Sequence, residues 1–250
     1  LQGHAIAAPR RPSPVFRVNL RSPCLAGFLY HVAVMRLDIF SDTICPWCYV
    51  GKRRLARALA ARPQPKLTTH WRAFQLNPGM PPEGMDRGRY IEAKFGSPER
   101  ARRIYEAVSA VGASEGIAFN FDAIRRTPNT LASHRLLRKA AKLGLQGDML
   151  DALFAAYFSE GRDIGNYDVL ADIAGTVGVP DAAAFLASAE GTLEAKAEDG
   201  LARRQGINGV PCFIFNGRFQ LSGAQEPESF FQLFDLARED EAGAVRESAR

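Results

Sequence analysis

The feature that most limits what this sequence can fold into is a pair of cysteines separated by two residues. The pair stands where a strand-like run meets a helix-like run. Residues 36–41 are typical of a buried strand, and Ser41-Asp42-Thr43 bounds it. From residue 45 to residue 61, apolar side chains recur at helical spacing. The segment Cys45-Pro46-Trp47-Cys48 therefore falls at the first turn of a helix, directly after a strand.

This position favours a reactive sulfur. We expect Cys45 at the N-cap and Pro46 at the first helical position, where its missing N–H costs nothing. Cys45 then faces unpaired backbone N–H groups and the positive end of the helix dipole, which stabilise a nucleophilic thiolate. Such sites lower a cysteine pKa from about 8.5 to roughly 3.5–7.5. Cys48 lies on the same face, close enough to bond to Cys45 or to resolve a mixed disulfide.

Two other uses of the pair fit the sequence less well. A structural zinc site needs a second pair of ligands. No two of the remaining candidates have ligand spacing: Cys24, Cys212, His70 and His134. A structural disulfide across three residues closes almost no loop and stabilises little. We therefore expect no metal and a redox role for the pair, of the thioredoxin-like kind.

The residues after the first helix predict a β-α-β unit followed by a long helical block. Residues 67–76 are typical of a second strand, which Asn77-Pro78-Gly79 closes. From about residue 90 to residue 200 nearly all of the chain has helical spacing, with its strongest apolar face at residues 149–158. We expect these apolar faces to form core.

Strand patterns return near the C-terminus. Residues 211–216 and 218–221 predict two strands joined by an Asn216-Gly217 hairpin turn, and residues 227–237 predict an amphipathic helix. Without the helical block, the remaining elements form one α/β arrangement, β-α-β followed by α-β-β-α. The predicted division is a sheet domain of residues 36–78 and 196–237, an inserted all-helical domain of residues 79–195, and a frayed tail of residues 238–250.

The positive charge belongs almost wholly to the first 34 residues. The chain carries 32 Lys and Arg against 27 Asp and Glu, a net charge of +5. Residues 1–34 hold four arginines and no acidic residue, which leaves 28 basic against 27 acidic residues in the rest. Because that remainder is nearly neutral, we expect no nucleic-acid partner and no membrane partner.

Residues 1–34 precede the first methionine, Met35, contain four prolines and have no strand or helix period. We expect them to be a disordered extension outside the fold. The alternative is targeting for secretion or to an organelle, since the segment is rich in arginine and lacks acids. Because His31 interrupts its apolar run and no clean cleavage site follows, we expect a cytoplasmic protein.

The sequence around the pair resembles the DsbA-like branch of the thioredoxin superfamily. More closely, it is similar to FrnE-like DsbA oxidoreductases, relatives of 2-hydroxychromene-2-carboxylate isomerase and kappa-class glutathione transferase. The resemblance covers about residues 36–237. It is carried by Asp42 to Gly51 (DTICPWCYVG), Asn129-Thr130 with Ser133 to Leu137 (SHRLL), Ile207 to Pro211 (INGVP) and Ser222 to Gln225 (SGAQ).

The resemblance implies a thioredoxin fold with a helical insertion. It also implies Cys45 as the attacking thiol, Cys48 as the resolving thiol, and Val210-Pro211 as a cis-proline loop that faces the substrate. Pro46 and Trp47 join that loop as expected substrate-binding residues, with Trp47 exposed. The isomerase and transferase relatives usually have serine in place of the first cysteine, so Cys45 places this chain with the thiol–disulfide enzymes.

Other residues near the pair have two interpretations each. Cys212, which follows the proline, is either a small buried hydrophobic residue or an accessory thiol that exchanges with the pair. Four basic residues of the first predicted helix either form a solvated face or influence Cys45 through their positive charge: Lys52, Arg53, Arg54 and Arg57. For His134 we expect no role beyond a helix hydrogen bond.

These observations predict a thiol–disulfide oxidoreductase acting on a disulfide- or dithiol-containing protein or a small thiol. We expect no tightly bound cofactor, with glutathione as a candidate thiol donor. Pro-Trp supplies no second positive charge between the cysteines, which favours a potential between those of thioredoxin, about −270 mV, and DsbA, about −120 mV. The alternatives are a glutathione-dependent isomerase or transferase of small aromatic substrates and a non-catalytic binding or chaperone module.

Overall fold

The computed structural model describes residues 16–17 and 35–248, with the side chains of residues 35–240. Its strands are β1 (Phe16–Arg17), β2 (Met35–Ser41), β3 (Leu67–Ala73), β4 (Met85–Asp86), β5 (Arg126–Thr127), β6 (Cys212–Phe215) and β7 (Phe219–Ser222). Its helices are α1 (Pro46–Ala61), α2 (Arg87–Phe95), α3 (Pro98–Ser114), α4 (Leu131–Ala141), α5 (Gln146–Phe158), α6 (Tyr167–Val177), α7 (Ala182–Ala187), α8 (Thr192–Arg204) and α9 (Ser229–Ser248). Apart from β1, the predicted extension of residues 1–34 lies outside the described residues.

A five-stranded sheet joins the two ends of the fold, in the order β1-β7-β6-β2-β3. Strands β2 and β3 are parallel, and β2 pairs antiparallel with β6. The β6–β7 hairpin turns at Asn216 and Gly217, which both have positive φ angles (50° and 68°), as the Asn-Gly signal predicts. The predicted α/β architecture, with helices between a β-α-β unit and a later hairpin, is confirmed.

Two element boundaries differ from the sequence patterns, and one pair of short strands was not predicted. Strand β3 ends at Ala73 rather than at residue 76, because side-chain carboxylates bind the next backbone N–H groups: Asp199 binds Gln75 N and Asp42 binds Leu76 N. The pairing of β4 with β5 has no sequence signal, since each strand has two residues. Helix α9 continues to Ser248, past residue 237, because Arg, Glu and Ala are good helix formers.

The two faces of the sheet have separate apolar layers. Successive side chains of a strand point to opposite faces. Phe213 and Phe215 of β6 pack on Phe230 and Phe234 of α9, with ring centroids 5.0 and 5.8 Å apart. The opposite face carries a smaller group that we call the α8-side cluster: Phe40, Phe74, Ala202, Ile207, Cys212 and Ile214. The larger core lies on the α1 and α9 side of the sheet.

The helical block is joined to the sheet by apolar and polar contacts. Tyr49 of α1 stacks on Phe154 of α5 with ring centroids 4.9 Å apart, so one core extends from the sheet into the helices. Along the edge strand β3, Gln146 binds both the N–H and the carbonyl of Trp71, and Glu198 binds the N–H of Ala73. These side chains satisfy backbone groups that an edge strand would otherwise leave unpaired. The domain boundaries near residues 78 and 195 stay a prediction.

Candidate active site

Cys45 is the N-cap of α1, and Pro46 occupies the first turn. The Cys45 N–H donates to the Asp42 carbonyl at 3.0 Å, and the Cys45 carbonyl accepts from the Cys48 N–H at 3.0 Å. No side chain caps this helix, and its first turn has no acidic residue. The positive end of the helix dipole is therefore available to a negatively charged Cys45 sulfur.

The Cys45 thiol points to the loop that precedes β6. Its Sγ donates to the Val210 carbonyl over 3.6 Å, and the residue is only 5% exposed. The Val210–Pro211 peptide bond is cis, as the resemblance implies. The structure thus brings together two segments that are 165 positions apart in the sequence.

Cys48 is fully buried behind Cys45, and both thiols are free. Burial raises the pKa of Cys48 well above its ordinary value, and the neighbouring Cys45 sulfur raises it further. The Ser41 side chain and the Asp42 backbone oppose this rise. Cys48 is therefore a protonated thiol in the resting dithiol protein, held beside the first cysteine.

Gly51 allows the loop to approach α1 closely. A Cβ atom at this position would lie 2.9 Å from Pro211 Cγ and 3.3 Å from the Phe213 ring. Real Cβ atoms essentially never come as close as 2.9 Å to another heavy atom, so a larger residue here would push the loop away. In the sequence, Gly51 stands out only as part of a motif. Its steric role depends on contacts with Pro211 and Phe213, which are 160 and 162 positions away.

The other predicted substrate-binding residues also lie at the pair. Pro46 and Pro211 are buried, and Val210 is half-buried. Trp47 is half-buried rather than exposed as expected, because its ring packs against the main core. Its indole Nε1 is buried without a hydrogen-bond partner.

A buried polar group lies at the end of β2, beside the pair. Asp42 is fully buried, and its Oδ2 accepts from the Leu76 N–H at 2.7 Å. Its Oδ1 lies 3.3 Å from His134 Nε2 on α4. Sequence reasoning gave His134 no such neighbour, since 92 positions separate the two residues. Nearby, the hydroxyls of Thr43 and Ser133 form a hydrogen bond of 2.8 Å.

The expectation of a solvated basic face on α1 is wrong for two of its four residues. Arg54 is 4% exposed, because its guanidinium pairs with the buried Glu115 at 2.9 Å and donates to the Ala224 carbonyl at 2.7 Å. Lys52 is paired with Asp151 of α5 at 2.5 Å. Both residues join α1 to neighbouring segments.

Cys212 lies away from the pair. Its side chain belongs to the α8-side cluster, whereas Cys45 and Cys48 belong to the core on the opposite side of the sheet. The residue is fully buried, and burial raises its pKa to about 12 against a small opposing effect of Ser222. Within the described residues, no three His, Cys, Asp or Glu side chains form a group that could hold a metal ion.

The sheet order, the dithiol at a helix start and the adjacent cis-proline define a class, the thioredoxin-fold proteins with a C-x-x-C pair. Within that class, a family model described as a DSBA-like thioredoxin domain matches residues 36–235. The chain belongs to this family. None of the helices within residues 35–248 is long and apolar enough to cross a lipid bilayer.

One solved structure supports this assignment, and a second relative is similar over part of the chain. The structure of a probable DsbA oxidoreductase from Streptomyces coelicolor is 33% identical, with a TM-score of 0.75, over 82% of this chain and 90% of that one. The uncharacterized protein YwbO of Bacillus subtilis is 24% identical over 62% of this chain and 72% of its own length.

A more distant similarity shows the fold alone. The cytosolic disulfide reductase DsbM from Pseudomonas aeruginosa, in a structure with glutathione, is 19% identical with a TM-score of 0.56, over 84% of this chain and 99% of that one. A 2-hydroxychromene-2-carboxylate isomerase is 17% identical with a TM-score of 0.58, over 86% and 98%. The two neighbours share the thioredoxin-type fold but differ in named activity.

Proposed function

We propose that this protein is a thiol–disulfide oxidoreductase that works through Cys45 and Cys48. The observation that carries the proposal is that two neighbouring thiols have different surroundings. Cys45 is at the uncapped start of α1, facing the Val210 carbonyl, and Cys48 is fully buried beside it. A nucleophile at a helix start and a protonated partner within reach are what stepwise disulfide exchange requires.

In the reducing direction, the Cys45 thiolate attacks one sulfur of a substrate disulfide. A bond forms between Cys45 and that sulfur, and the other substrate sulfur leaves and takes a proton. Cys48 then attacks the Cys45 sulfur and displaces the first substrate sulfur, which takes the proton that Cys48 loses. The substrate gains two electrons, and the pair becomes a disulfide. The same steps in reverse oxidise a dithiol.

The substrate would lie across Pro46, Trp47, Val210 and Pro211. Val210 and Trp47 are half-buried, and residues 208 and 209, directly before Val210, are exposed. An extended substrate segment placed along this loop has its sulfur close to Cys45, because the Val210 carbonyl is already within 3.6 Å of Cys45 Sγ. We propose a disulfide- or dithiol-containing protein or a small thiol as the partner.

The proposed setting is the cytoplasm, with a reductase or isomerase direction, because glutathione keeps thiols reduced there. Glutathione is the proposed thiol donor. The structural similarity to a disulfide reductase described with glutathione supports a fold that accommodates this tripeptide. No tightly bound cofactor is needed for the exchange.

The second candidate is a glutathione-dependent isomerase or transferase of small aromatic substrates, which the fold shared with the chromene isomerase favours. An insulin-reduction assay with dithiothreitol, run beside a chromene-carboxylate turnover assay, separates the two. We expect insulin reduction that the Cys45→Ser/Cys48→Ser double variant loses. Chromene turnover without insulin reduction would favour the isomerase, and retention of activity in the double variant would favour a binding module.

A further inference from the structure

The dipeptide Asn-Gly occurs twice in this sequence, and the structure places the two copies in different surroundings. Asn216-Gly217 forms the hairpin turn between β6 and β7. Asn208-Gly209 lies in the loop whose Val210 carbonyl faces Cys45. An Asn side chain before Gly is chemically labile, because the Gly nitrogen can attack the side-chain amide when no Cβ obstructs its approach. How fast each copy reacts therefore depends on how firmly the fold holds it.

The hairpin copy is held by both its side chain and its backbone. Asn216 Oδ1 accepts from the Arg36 N–H at 2.9 Å, and Asn216 Nδ2 donates to the Ala237 carbonyl at 3.1 Å. The Asn216 N–H donates to the Arg36 carbonyl at 2.8 Å. To bring Asn216 Cγ onto the Gly217 nitrogen, the side chain has to break both of its hydrogen bonds. The fold therefore protects this amide.

The loop copy has none of these restraints. Asn208 and Gly209 are both exposed, and among the hydrogen bonds of residues 35–240 none holds the Asn208 side chain or the Gly209 N–H. The φ angle of Gly209 lies outside the left-handed region, and a Cβ atom added there would meet no atom within 4 Å. The backbone therefore does not require glycine at this position, although glycine leaves the neighbouring amide open to attack.

We propose that Asn208 is a deamidation site, at which a carboxylate forms in the loop that faces Cys45. The Gly209 nitrogen bonds to Asn208 Cγ and loses its proton, while the bond between Cγ and Nδ2 breaks. Nδ2 takes up that proton and leaves as ammonia. Water then opens the cyclic imide at one of its two carbonyl carbons and gives aspartate or isoaspartate. The net change replaces the side-chain NH2 by OH, with water as the only co-reactant and no oxidation or reduction.

The new charge would act on the candidate active site, a consequence that rests on the proposed oxidoreductase function. Asn208 lies two residues before Val210, whose carbonyl is 3.6 Å from Cys45 Sγ. Two residues of extended chain span at most about 7 Å, and a charge in solvent acts over about 8 Å at physiological ionic strength. A carboxylate at position 208 therefore repels an anionic substrate, such as oxidised glutathione, more than a neutral one.

Peptide mapping by mass spectrometry measures the modification itself. The folded full chain is kept at mildly alkaline pH, and the mass gain of each Asn-Gly peptide is followed over time. We expect Asn208 to convert at least about tenfold faster than Asn216, because two side-chain hydrogen bonds hold the second residue. In denaturant the two should convert at similar rates. The matched variant Gly209→Ala should slow conversion of Asn208 severalfold, because its Cβ obstructs the attacking nitrogen.

The effect on the site is measured with Asn208→Asp, and Asn208→Ser is the uncharged control. The rate with oxidised glutathione, divided by the rate with hydroxyethyl disulfide, should fall about two- to fivefold in Asn208→Asp only, and high salt should abolish the fall.

Three results would count against the proposal. An Asn208 that stays intact in the folded chain but converts in denaturant would overturn it, and so would equal rates at Asn208 and Asn216 in the folded chain. An unchanged ratio in Asn208→Asp would overturn the effect on the site. If the wild-type pair reacts with no disulfide, the proposed function fails, while peptide mapping still tests the deamidation.

Discussion

The two sides of the central sheet hold buried cysteines in contrasting surroundings. Cys48 and Cys212 are both fully buried, and burial raises the pKa of each. Cys48 has the Cys45 sulfur, the Ser41 hydroxyl and the Asp42 backbone beside it. Cys212 lies in the apolar α8-side cluster, where the Ser222 side chain opposes the effect of burial on its pKa. The two thiols are equally buried but differ in their neighbours, and under the proposed function these neighbours decide which of the two can ionise and react.

The alternation of a β-strand produces this contrast. Pro211 lies against Gly51 of α1, and Phe213 packs on α9. Cys212 stands between them in sequence, so its side chain points to the other face of the sheet. Cys212 is therefore next to the candidate active site in sequence, but its side chain lies on the opposite face of the sheet, among apolar residues.

The largest difference is expected between two variants, Cys48→Ser and Cys212→Ser, each of which removes one of the two buried thiols. Cys48→Ser should lower multiple-turnover reduction of a small disulfide by at least about a thousandfold, because the mixed disulfide at Cys45 has no resolving thiol. Cys212→Ser should stay within about twofold of the wild type. Mass spectrometry of the quenched reaction should find the trapped adduct on Cys45 only. An adduct on Cys212 would remove the contrast.

The next largest effect is expected in the rate at which iodoacetamide alkylates Cys212 at pH 8. With a pKa of about 12, Cys212 is a thiolate in only about one molecule in ten thousand at this pH. We expect Cys212 to react at least about a hundredfold more slowly in the folded protein than in denaturant, by peptide mapping of each cysteine. Raising the pH toward 10 should accelerate its reaction tenfold per pH unit. Rapid alkylation of Cys212 in the folded protein at pH 8 would contradict the assignment.

The side of the sheet that carries the pair also depends on a buried ion pair, between Arg54 and Glu115. Glu115→Ala should lower the free energy of unfolding by about 3–5 kcal/mol, because the buried Arg54 loses its buried carboxylate partner and keeps only the exposed Glu226. The matched control is Glu106→Ala, which breaks the exposed pair with Arg102 and should cost less than about 1 kcal/mol. Urea unfolding of the two variants tests this. Equal losses would show that burial does not govern these pairs.

The smallest effect is expected from Cys212→Ala. It leaves a cavity of roughly one sulfur atom in the α8-side cluster and should cost about 1 kcal/mol of unfolding free energy, with no change in the exchange rate or the potential of the pair. Thermal unfolding and the insulin assay measure the two parts. A changed potential would revive the accessory-thiol interpretation of Cys212.

The parts of the fold that sequence predicted are those with a local signal. The strand before Cys45, the helix start at Pro46 and the Asn216-Gly217 turn each follow from a few adjacent residues. The cis bond before Pro211 followed from resemblance, since an X-Pro bond is cis in only about 5–6% of cases.

The parts that sequence missed depend on contacts between distant segments. The charges of Arg54 and Glu115 are 61 positions apart, and Asp42 and His134 are 92 apart, so no spacing rule connects them. The side chains that satisfy β3 were missed for the same reason, because Gln146 and Glu198 lie on helices far along the chain. Polar groups that appear solvated in a helical pattern become buried only when a second element covers them.

The most direct test of the central claim is a redox titration of the Cys45–Cys48 pair in glutathione buffers, with the Cys48→Ser variant as the control that cannot form the disulfide. We predict a reversible two-electron transition with a potential between about −270 and −120 mV. A pair that stays in one state across this range, or a transition that persists in Cys48→Ser, would contradict it.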